Sequence, residues 1–253
     1  MLVSATITTA EAVLPLRVRY RQEMNCQIVH DSIHRRDGWT VTYMLNVDGV
    51  TAGFGSIAQA GPWKDKPSMF EFYVLPEHLA HSFALFEALL TVPNARFMEI
   101  QSSDVLLAVM LHTYGRDIWS EKIVFRDANT TALPGNGATV QQLTPDQEIW
   151  NAIDQRQGGA EYQLLLDGAI VATGGLMFHY NVPYTDIYME TVEPFRRRGF
   201  GSYLVQELKR YAYALGSIPC ARCNPGNVAS RATLQKAGLV PFAHILNGSI
   251  RDN

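Results

Sequence analysis

The chain has 253 residues, of which 47% are hydrophobic and 18% are charged, a composition typical of a globular protein with one large domain or two small ones. A formal net charge of −3 argues against a general binder of nucleic acid or of anionic membranes. No apolar run is long enough to span a bilayer and the first twenty residues do not resemble a secretory signal. Three cysteines, an odd number, fit a reducing compartment better than a disulfide framework, so we expect a cytoplasmic protein.

The first half of the sequence alternates predicted strands and helices. After a helical segment over 10–21, an alternating run ends at Val47, and Asp48-Gly49 is a dipeptide typical of tight hairpins, so 50–58 is predicted as the returning strand. The remaining elements of this half, in order, are a strand over 69–75 stopped by Pro76, a helix over 82–90, a strand over 97–102, a helix over 105–114 closed by Gly115, and a strand over 118–125.

A turn-rich segment over 133–137 separates the two halves, and a strand is predicted over 139–143 directly after it. The next helix is predicted from Thr144 as N-cap, Pro145 at the first helical position and Gln147 as the partner that completes a capping box. Asp167-Gly168 then predicts a second hairpin turn.

The two halves share several motifs at nearly constant spacing. Each half has a tyrosine before its hairpin turn, a glycine after it, a Val-x-Pro stop, and a last helix that begins at an N-cap residue and is closed by glycine. In the first half these features are Tyr43, Gly55, Val74-x-Pro76, Asp104 and Gly115. In the second half they are Tyr162, Gly174, Val192-x-Pro194, Asn227 and Gly238. Common turns and caps could coincide by chance. We interpret them as two copies of one fold, with domains at 1–134 and 135–253.

The most distinctive stretch lies in the second half, where a predicted strand over 186–192 leads through an Arg- and Gly-rich loop to a helix over 202–215. A helix N-terminus carries unsatisfied N–H groups and partial positive charge, and glycines let a bulky anion approach them. The loop has no Gly-Lys-Ser/Thr, and Leu204 stands at the third glycine position of a dinucleotide fingerprint. We therefore predict a pyrophosphate site; a glycine-rich turn with solvated arginines is the alternative.

This loop resembles the coenzyme A loop of the GNAT acyltransferase superfamily, whose pattern is Arg/Gln-x-x-Gly-x-Gly/Ala, because Arg196, Gly199 and Gly201 match it in place. The resemblance covers the second half with motifs and the first half only as architecture. It implies an α/β fold of two GNAT-like domains, each a mixed, mostly antiparallel sheet flanked by helices. It also implies acetyl-CoA as co-substrate. The residues themselves predict no metal, since the lone Cys220-x-x-Cys223 would need two further ligands and only scattered histidines are available.

The resemblance further implies which residues would contact the co-substrate. A backbone donor to the thioester carbonyl is expected near Thr191 and Val192, and Asn227 falls where the family contacts the pantetheine arm, three residues ahead of Ser230. The residues expected at the pyrophosphate are Arg196, Arg197, Arg198, Gly199, Phe200, Gly201 and Ser202. Leu234 stands where many members carry the tyrosine that protonates the leaving thiolate.

Two carboxylates are candidates for the general base. Asp186 and Glu190 are four residues apart on one predicted strand, so both point to the same face, and Asp186 falls where many family members place the acid that activates the amine. Either of them could instead simply pair with an arginine. The stretch 179–184, with His179, Tyr180, Asn181 and Tyr184, is interpreted either as acceptor contacts or as an exposed hairpin loop.

The first copy is expected to have lost coenzyme A, because Glu77 and no glycine or arginine follow its Pro76, and because Asp104 replaces the amide of Asn227. The predicted function is acetyl transfer from acetyl-CoA to a primary amine of a small molecule or peptide, without nucleic-acid or membrane partners. The alternative is a coenzyme A-binding sensor or scaffold without turnover. Self-association into a homodimer is left open.

Overall fold

A computed structural model of the protein describes residues 1–24, 31–92 and 96–251. The strands are β1 (Val3–Thr8), β2 (Thr40–Val47), β3 (Val50–Ala58), β4 (Ser68–Val74), β5 (Phe97–Gln101), β6 (Gly115–Asp127), β7 (Thr139–Gln142), β8 (Gly159–Leu166), β9 (Ala169–Met177), β10 (Tyr184–Thr191), β11 (Ile218–Cys223) and β12 (Leu239–Ile250). The α-helices are α1 (Leu14–Met24), α2 (Ser82–Leu90), α3 (Val105–Tyr114), α4 (Asp146–Gln155), α5 (Phe200–Ala214) and α6 (Val228–Lys236). No helix in these three ranges is both long enough and apolar enough to cross a membrane.

The chain divides into two compact units. Within the described residues, the first unit contains 1–24, 33–92, 96–121 and 244–251, and the second contains 31–32 and 122–243. Neither unit is one uninterrupted stretch of sequence, because β6 and β12 each contribute one end to either unit. The domain boundary that the sequence indicates between residues 134 and 135, where the two copies would meet, stays a prediction.

The first unit has the strand order β1-β2-β3-β4-β5, and the end of β12 pairs antiparallel with β5. The second unit has the corresponding order β7-β8-β9-β10-β11, and the end of β6 pairs antiparallel with β11. In each unit one pair of strands is parallel, β4 with β5 and β10 with β11, and the other pairs are antiparallel. The expected α/β class with mixed, mostly antiparallel sheets flanked by helices is confirmed.

The hairpins agree in detail. Asp48 and Gly49 have φ of 47° and 81°, and Asp167 and Gly168 have φ of 49° and 81°, which are the left-handed conformations of a two-residue hairpin turn. Each hairpin also carries an irregularity in register two residues before its turn, between Leu45 and Asn46 in one and between Leu164 and Leu165 in the other. A shared irregularity of this kind supports the interpretation of the halves as copies.

Some local predictions need correction. The helix expected over 10–21 begins only at Leu14, and Gly115 does not close α3 in a left-handed turn but starts β6 with φ −91°. The capping box was wrong, because α4 begins at Asp146 and the Thr144 hydroxyl accepts a hydrogen bond from the N–H of Glu161 instead.

The Val-x-Pro alignment of the two halves was also off by one residue. The N–H of Leu75 donates to Ala52 O in the first hairpin sheet, and the N–H of Val192 donates to Val171 O in the second. Since Ala52 and Val171 correspond in the hairpins, Leu75 rather than Val74 is the counterpart of Val192. An irregularity between Ser56 and Ile57 in β3 accompanies the difference.

The core of the second unit positions the site. Leu204, Val205 and Leu208 of α5 pack against the inward face of the sheet, and Ile187 of β10 joins them. Packing of this face fixes the first turn of α5 beside the end of β10. The next strand, β11, is followed directly by α6, so three elements converge at one edge of the sheet.

Candidate active site

The two parallel strands of the second unit separate where the loop begins. Tyr184–Ile187 of β10 pairs with Ile218–Ala221 of β11, and the described pairing ends at Ile187 although β10 continues to Thr191. The opposite edge of β10 stays paired with β9 throughout, and the N–H of Val192 continues this pattern by donating to Val171 O. Because successive N–H groups alternate in direction along a strand, the N–H of Thr191 points toward the gap left by β11.

The loop after β10 brings the N-terminus of α5 to this gap. A 3-10 turn, Glu193–Phe195, is followed by Arg197 with φ 61° and by Gly199 with φ 89° as the N-cap of α5. Gly199 offers no side chain to cap the helix, so the first N–H groups of α5 are left for water or for a ligand. A side chain at Gly199 would be strained in this left-handed conformation.

Gly201 has a different role. A Cβ at this position would clash with the terminal methyl of Met189 and come within 2.8 Å of Thr191 Oγ1. The absence of a side chain therefore allows the first turn of α5 to lie directly against the end of β10. We expected this glycine to make room for phosphates, which stays a prediction; the contacts show that it makes room for the strand.

A cavity of about 780 Å³ opens between the end of β10, the N-terminus of α5 and one face of α6. Nine of the eleven residues predicted to contact the co-substrate line it: Thr191, Arg196, Arg197, Gly199, Phe200, Gly201, Ser202, Asn227 and Ser230. Val192 and Arg198 do not. The Arg198 guanidinium lies 5.4 Å and 5.2 Å from the ring centroids of Phe195 and Phe200, and so covers these rings.

Lys236 and Thr233 also line the cavity and were missed by the sequence analysis. The signal was present, because Asn227, Ser230, Thr233 and Lys236 are spaced by three residues and therefore share one side of α6. Lys236 joins Arg196 and Arg197 as a third cation around the cavity, with its Nζ 3.9 Å from the position of a Cβ on Gly199.

Two of the residues predicted to contact the co-substrate also make hydrogen bonds within the protein. Asn227 is the N-cap of α6, and its carbonyl oxygen accepts a hydrogen bond of 3.0 Å from Ser230 N. Its amide NH2 group has no acceptor among the described residues, so capping leaves a donor for the cavity. Arg196 donates from Nε to Thr191 O at 3.1 Å, which ties the loop to the end of β10.

The two candidate bases lie in different environments. The Glu190 side chain is 80% exposed and reaches only a 4.0 Å contact with Arg196, an arrangement that contributes little energy in water. Asp186 is buried, and its Oδ2 accepts a 3.1 Å hydrogen bond from Arg222 Nε. Burial raises the pKa of Asp186 to about 6, against the opposing effect of Arg222.

Buried polar groups surround the Asp186–Arg222 pair. The Arg222 guanidinium lies 4.8 Å from the Tyr180 ring centroid, Arg156 donates to Tyr180 O at 2.6 Å, and Cys220 donates its S–H to Thr185 O. Tyr180 is completely buried, as are most of the side chains of Asn181 and Tyr184, so the exposed-loop interpretation of this stretch was wrong. Leu234, at the position of the family tyrosine, is buried in the core.

Cys220 and Cys223 are both buried thiols. In the part of the chain that the structure describes, no three His, Cys, Asp or Glu side chains come together in a way that could hold a metal ion.

Comparison with known proteins agrees with this geometry. An acetyltransferase of the GNAT family from Colwellia psychrerythraea superposes with a TM-score of 0.67 at 14% identity, over 97% of this chain and all of that one. A tandem GNAT protein from the clavulanic acid biosynthesis pathway gives 0.64 at 11% identity over the full length of both chains. A GCN5-related N-acetyltransferase from Sphaerobacter thermophilus gives 0.60 at 13% identity, over 99% and 96% of the two chains. No curated protein matches the chain significantly by sequence.

The chain shares its fold with these proteins, and within that fold a parallel strand pair separates beside an uncapped, glycine-bearing helix N-terminus. Residues 125–239 match the family model described as the acetyltransferase (GNAT) family. Residues 125–239 are therefore similar to a GNAT acetyltransferase domain, as the resemblance of the loop implied.

Proposed function

We propose that the second unit transfers an acetyl group from acetyl-CoA to a primary amine of a small molecule or peptide in the cytoplasm. The observation that carries this proposal is the 780 Å³ cavity, which combines the N-terminus of α5, three basic side chains and the gap between β10 and β11. A diphosphate suits the helix N-terminus and the cations, and a slender thioester arm suits a gap between strands.

The reaction requires few protein groups. The amine nitrogen attacks the thioester carbonyl, the C–S bond breaks, and an amide and a coenzyme A thiolate result. The Thr191 N–H is the backbone donor best placed to polarise the carbonyl, since the Val192 N–H is already used by Val171 O. We therefore propose for Thr191 alone a role that the sequence left between two residues.

Asp186 is the better candidate for the base. A carboxylate whose pKa lies near 6 is mostly ionised at neutral pH and accepts a proton more readily than an ordinary aspartate. Asp186 is buried, so we propose that it takes the amine proton through an intervening water. Glu190, more exposed and nearer the loop, would then attract the cationic form of the acceptor.

The alternative function is a coenzyme A-binding sensor without turnover. The specific observation in its favour is Leu234, which is buried in the core where a proton donor to the thiolate would be expected from the family. A thiolate with a pKa of about 8.5 can nevertheless leave without a proton at neutral pH, so transfer remains chemically sound.

Release of free thiol from acetyl-CoA in the presence of a panel of primary amines separates these functions. Transfer predicts amine-dependent thiol release and an acetylated product detected by mass spectrometry. A sensor predicts binding of acetyl-CoA by titration calorimetry with no release above the background hydrolysis for any amine.

A further inference from the structure

Arg222 occupies a distinctive position on β11. Its Nε donates to Asp186 Oδ2, and its guanidinium lies over the ring of Tyr180, so its orientation is fixed by two buried residues. The Arg222 side chain nevertheless keeps 25% of its surface exposed. A guanidinium held in this way is presented to solvent with little rotational freedom.

The outer edge of this guanidinium has no assigned role in the protein. Within the described ranges, no carboxylate or carbonyl other than that of Asp186 accepts a hydrogen bond from Arg222. Both terminal nitrogens, Nη1 and Nη2, are therefore left with water or a ligand. Two parallel N–H groups of an arginine match the two oxygens of a carboxylate.

The location of Arg222 is on the face of the sheet that the acceptor would use. Ala221 lies opposite Ile187, so Arg222 lies level with Tyr188, at the point where β10 and β11 separate. Asp186, Tyr188 and Glu190 alternate on β10 and share the face that Arg222 contacts. Thr191 follows Tyr188 by three positions, a Cα separation of roughly 10 Å that the Arg222 side chain and an amino acid would span together.

We propose that Arg222 binds a carboxylate of the acceptor, so that the substrates are primary amines that also carry a carboxylate, namely free amino acids. This inference rests on the proposed acetyl transfer and specifies its acceptor. A monoanion fits better than a phosphate, because Asp186 already offsets part of the arginine charge and would repel a dianion.

Pairs of acceptors test the inference directly. Free α- and ω-amino acids are compared with their own carboxamides in the thiol-release assay with saturating acetyl-CoA. We expect kcat/KM to favour the carboxylate on the order of 10- to 100-fold, as expected for a charge-assisted bidentate pair. Equal use of amino acids and carboxamides by the wild-type protein would overturn the inference while leaving acetyl transfer intact.

Arg222→Lys and Arg222→Gln should both bring the ratio of kcat/KM between each amino acid and its carboxamide close to one, because a lysine keeps the charge but not the two parallel N–H groups. The ratio is the readout because any effect on Asp186 lowers both members of a pair. Arg210→Gln, an exposed arginine of α5 paired with Glu207, is the matched control and should keep the wild-type ratio. Retention of the preference by the glutamine variant would contradict the assignment.

The proposed function can also fail separately. If no amine releases thiol although acetyl-CoA binds, calorimetry on the acetyl-CoA complex measures the affinity for amino acid and carboxamide instead. A preference for the amino acid that is lost in Arg222→Lys would support the carboxylate site without transfer, and no preference would overturn it. If the single variants do not fold, the wild-type comparison decides alone.

Discussion

Substitution of Asp186 by asparagine tests the proposed base through the pH dependence of the reaction. Because burial raises the pKa of Asp186 to about 6, only about a tenth of this carboxyl is ionised at pH 5 and about nine tenths at pH 7. We therefore expect kcat/KM for the amine, expressed per unprotonated amine, to fall roughly tenfold from its plateau to pH 5.

The Asp186→Asn variant should lose about 10²–10⁴-fold in kcat, with the affinity for acetyl-CoA little changed, and its acid limb near pH 6 should disappear. Stability changes in the opposite direction. The folded pKa of Asp186 is raised above its ordinary value of 3.8, so the folded state binds this proton more tightly than the unfolded state. The contribution of Asp186 to stability therefore falls as the pH rises from about 4 to about 6. Unfolding linked to this group therefore does not explain a loss of activity at low pH.

Two variants serve as controls. Asp104 is another buried carboxyl whose pKa burial raises to about 6, but it belongs to the first unit, and Asp104→Asn should keep the acid limb. Glu190→Gln tests the other candidate base. An acid limb that is unchanged in Asp186→Asn and lost in Glu190→Gln would refute our assignment, and near wild-type activity of both variants would remove carboxylate base catalysis altogether.

Three further predictions concern the donor site and the first unit. Gly201→Val should abolish acetyl-CoA binding measured by calorimetry, because its side chain would displace Met189 and crowd Thr191 at the cavity; unchanged affinity would contradict this. Asp104→Asn, whose amide can still accept from Leu107 N and can donate to the Tyr20 hydroxyl oxygen, should gain up to about 3 kcal/mol in free energy of unfolding relative to wild type as the pH rises from 4 to 7, because the buried wild-type carboxyl binds its proton more tightly when folded; urea titrations should show no such gain for the exposed control Asp167→Asn. Finally, each chain should bind one acetyl-CoA, and two equivalents of similar affinity in calorimetry would show that the first unit also binds it.

Much of the fold could be predicted because its signals are local. Asp-Gly turns require left-handed conformations at both residues, and both hairpins form where these dipeptides lie. Asp104 and Asn227 cap α3 and α6 through their own side chains, as the sequence indicates. The loop of the donor site is equally local, since its strand, turn and helix are consecutive in the chain.

Interactions between segments that are far apart in the sequence could not be predicted from it. Asp186 and Arg222 are separated by 36 residues, and only the register of β10 against β11 brings them together. Thr144 resembles an N-cap in every local respect, yet its hydroxyl finds the N–H of Glu161 across the sheet. The contributions of β6 and β12 to both units also depend on long-range pairing that no local pattern in the sequence specifies.

The two units differ in what lies beside the gap between their parallel strands. In the first unit the described pairing of β4 with β5 ends at Met69 and Met98, so a gap is also present there. Side chains of α1 occupy its surroundings: the Tyr20 ring lies 5.9 Å from the ring of Tyr73 on β4, and the Tyr20 hydroxyl donates to Asp104 at the start of α3.

The loop after β4 and the buried charged side chains of the first unit also differ from those of the second unit. Its 3-10 turn, Pro76–His81, runs directly into α2 and leaves no extended, glycine-bearing segment before the helix. Burial alone would raise the pKa of Glu71, but Arg17 and His34 together hold it well below its ordinary range, each through a contact of 3.0 Å. A ligand at this gap would have to displace buried, mutually satisfied groups, whereas the second unit offers solvated cations and uncapped N–H groups. Side chains of α1 thus fill the surroundings of the gap in the first unit, which supports the prediction that this copy does not bind coenzyme A, whereas the corresponding gap in the second unit is the site that we propose for the co-substrate.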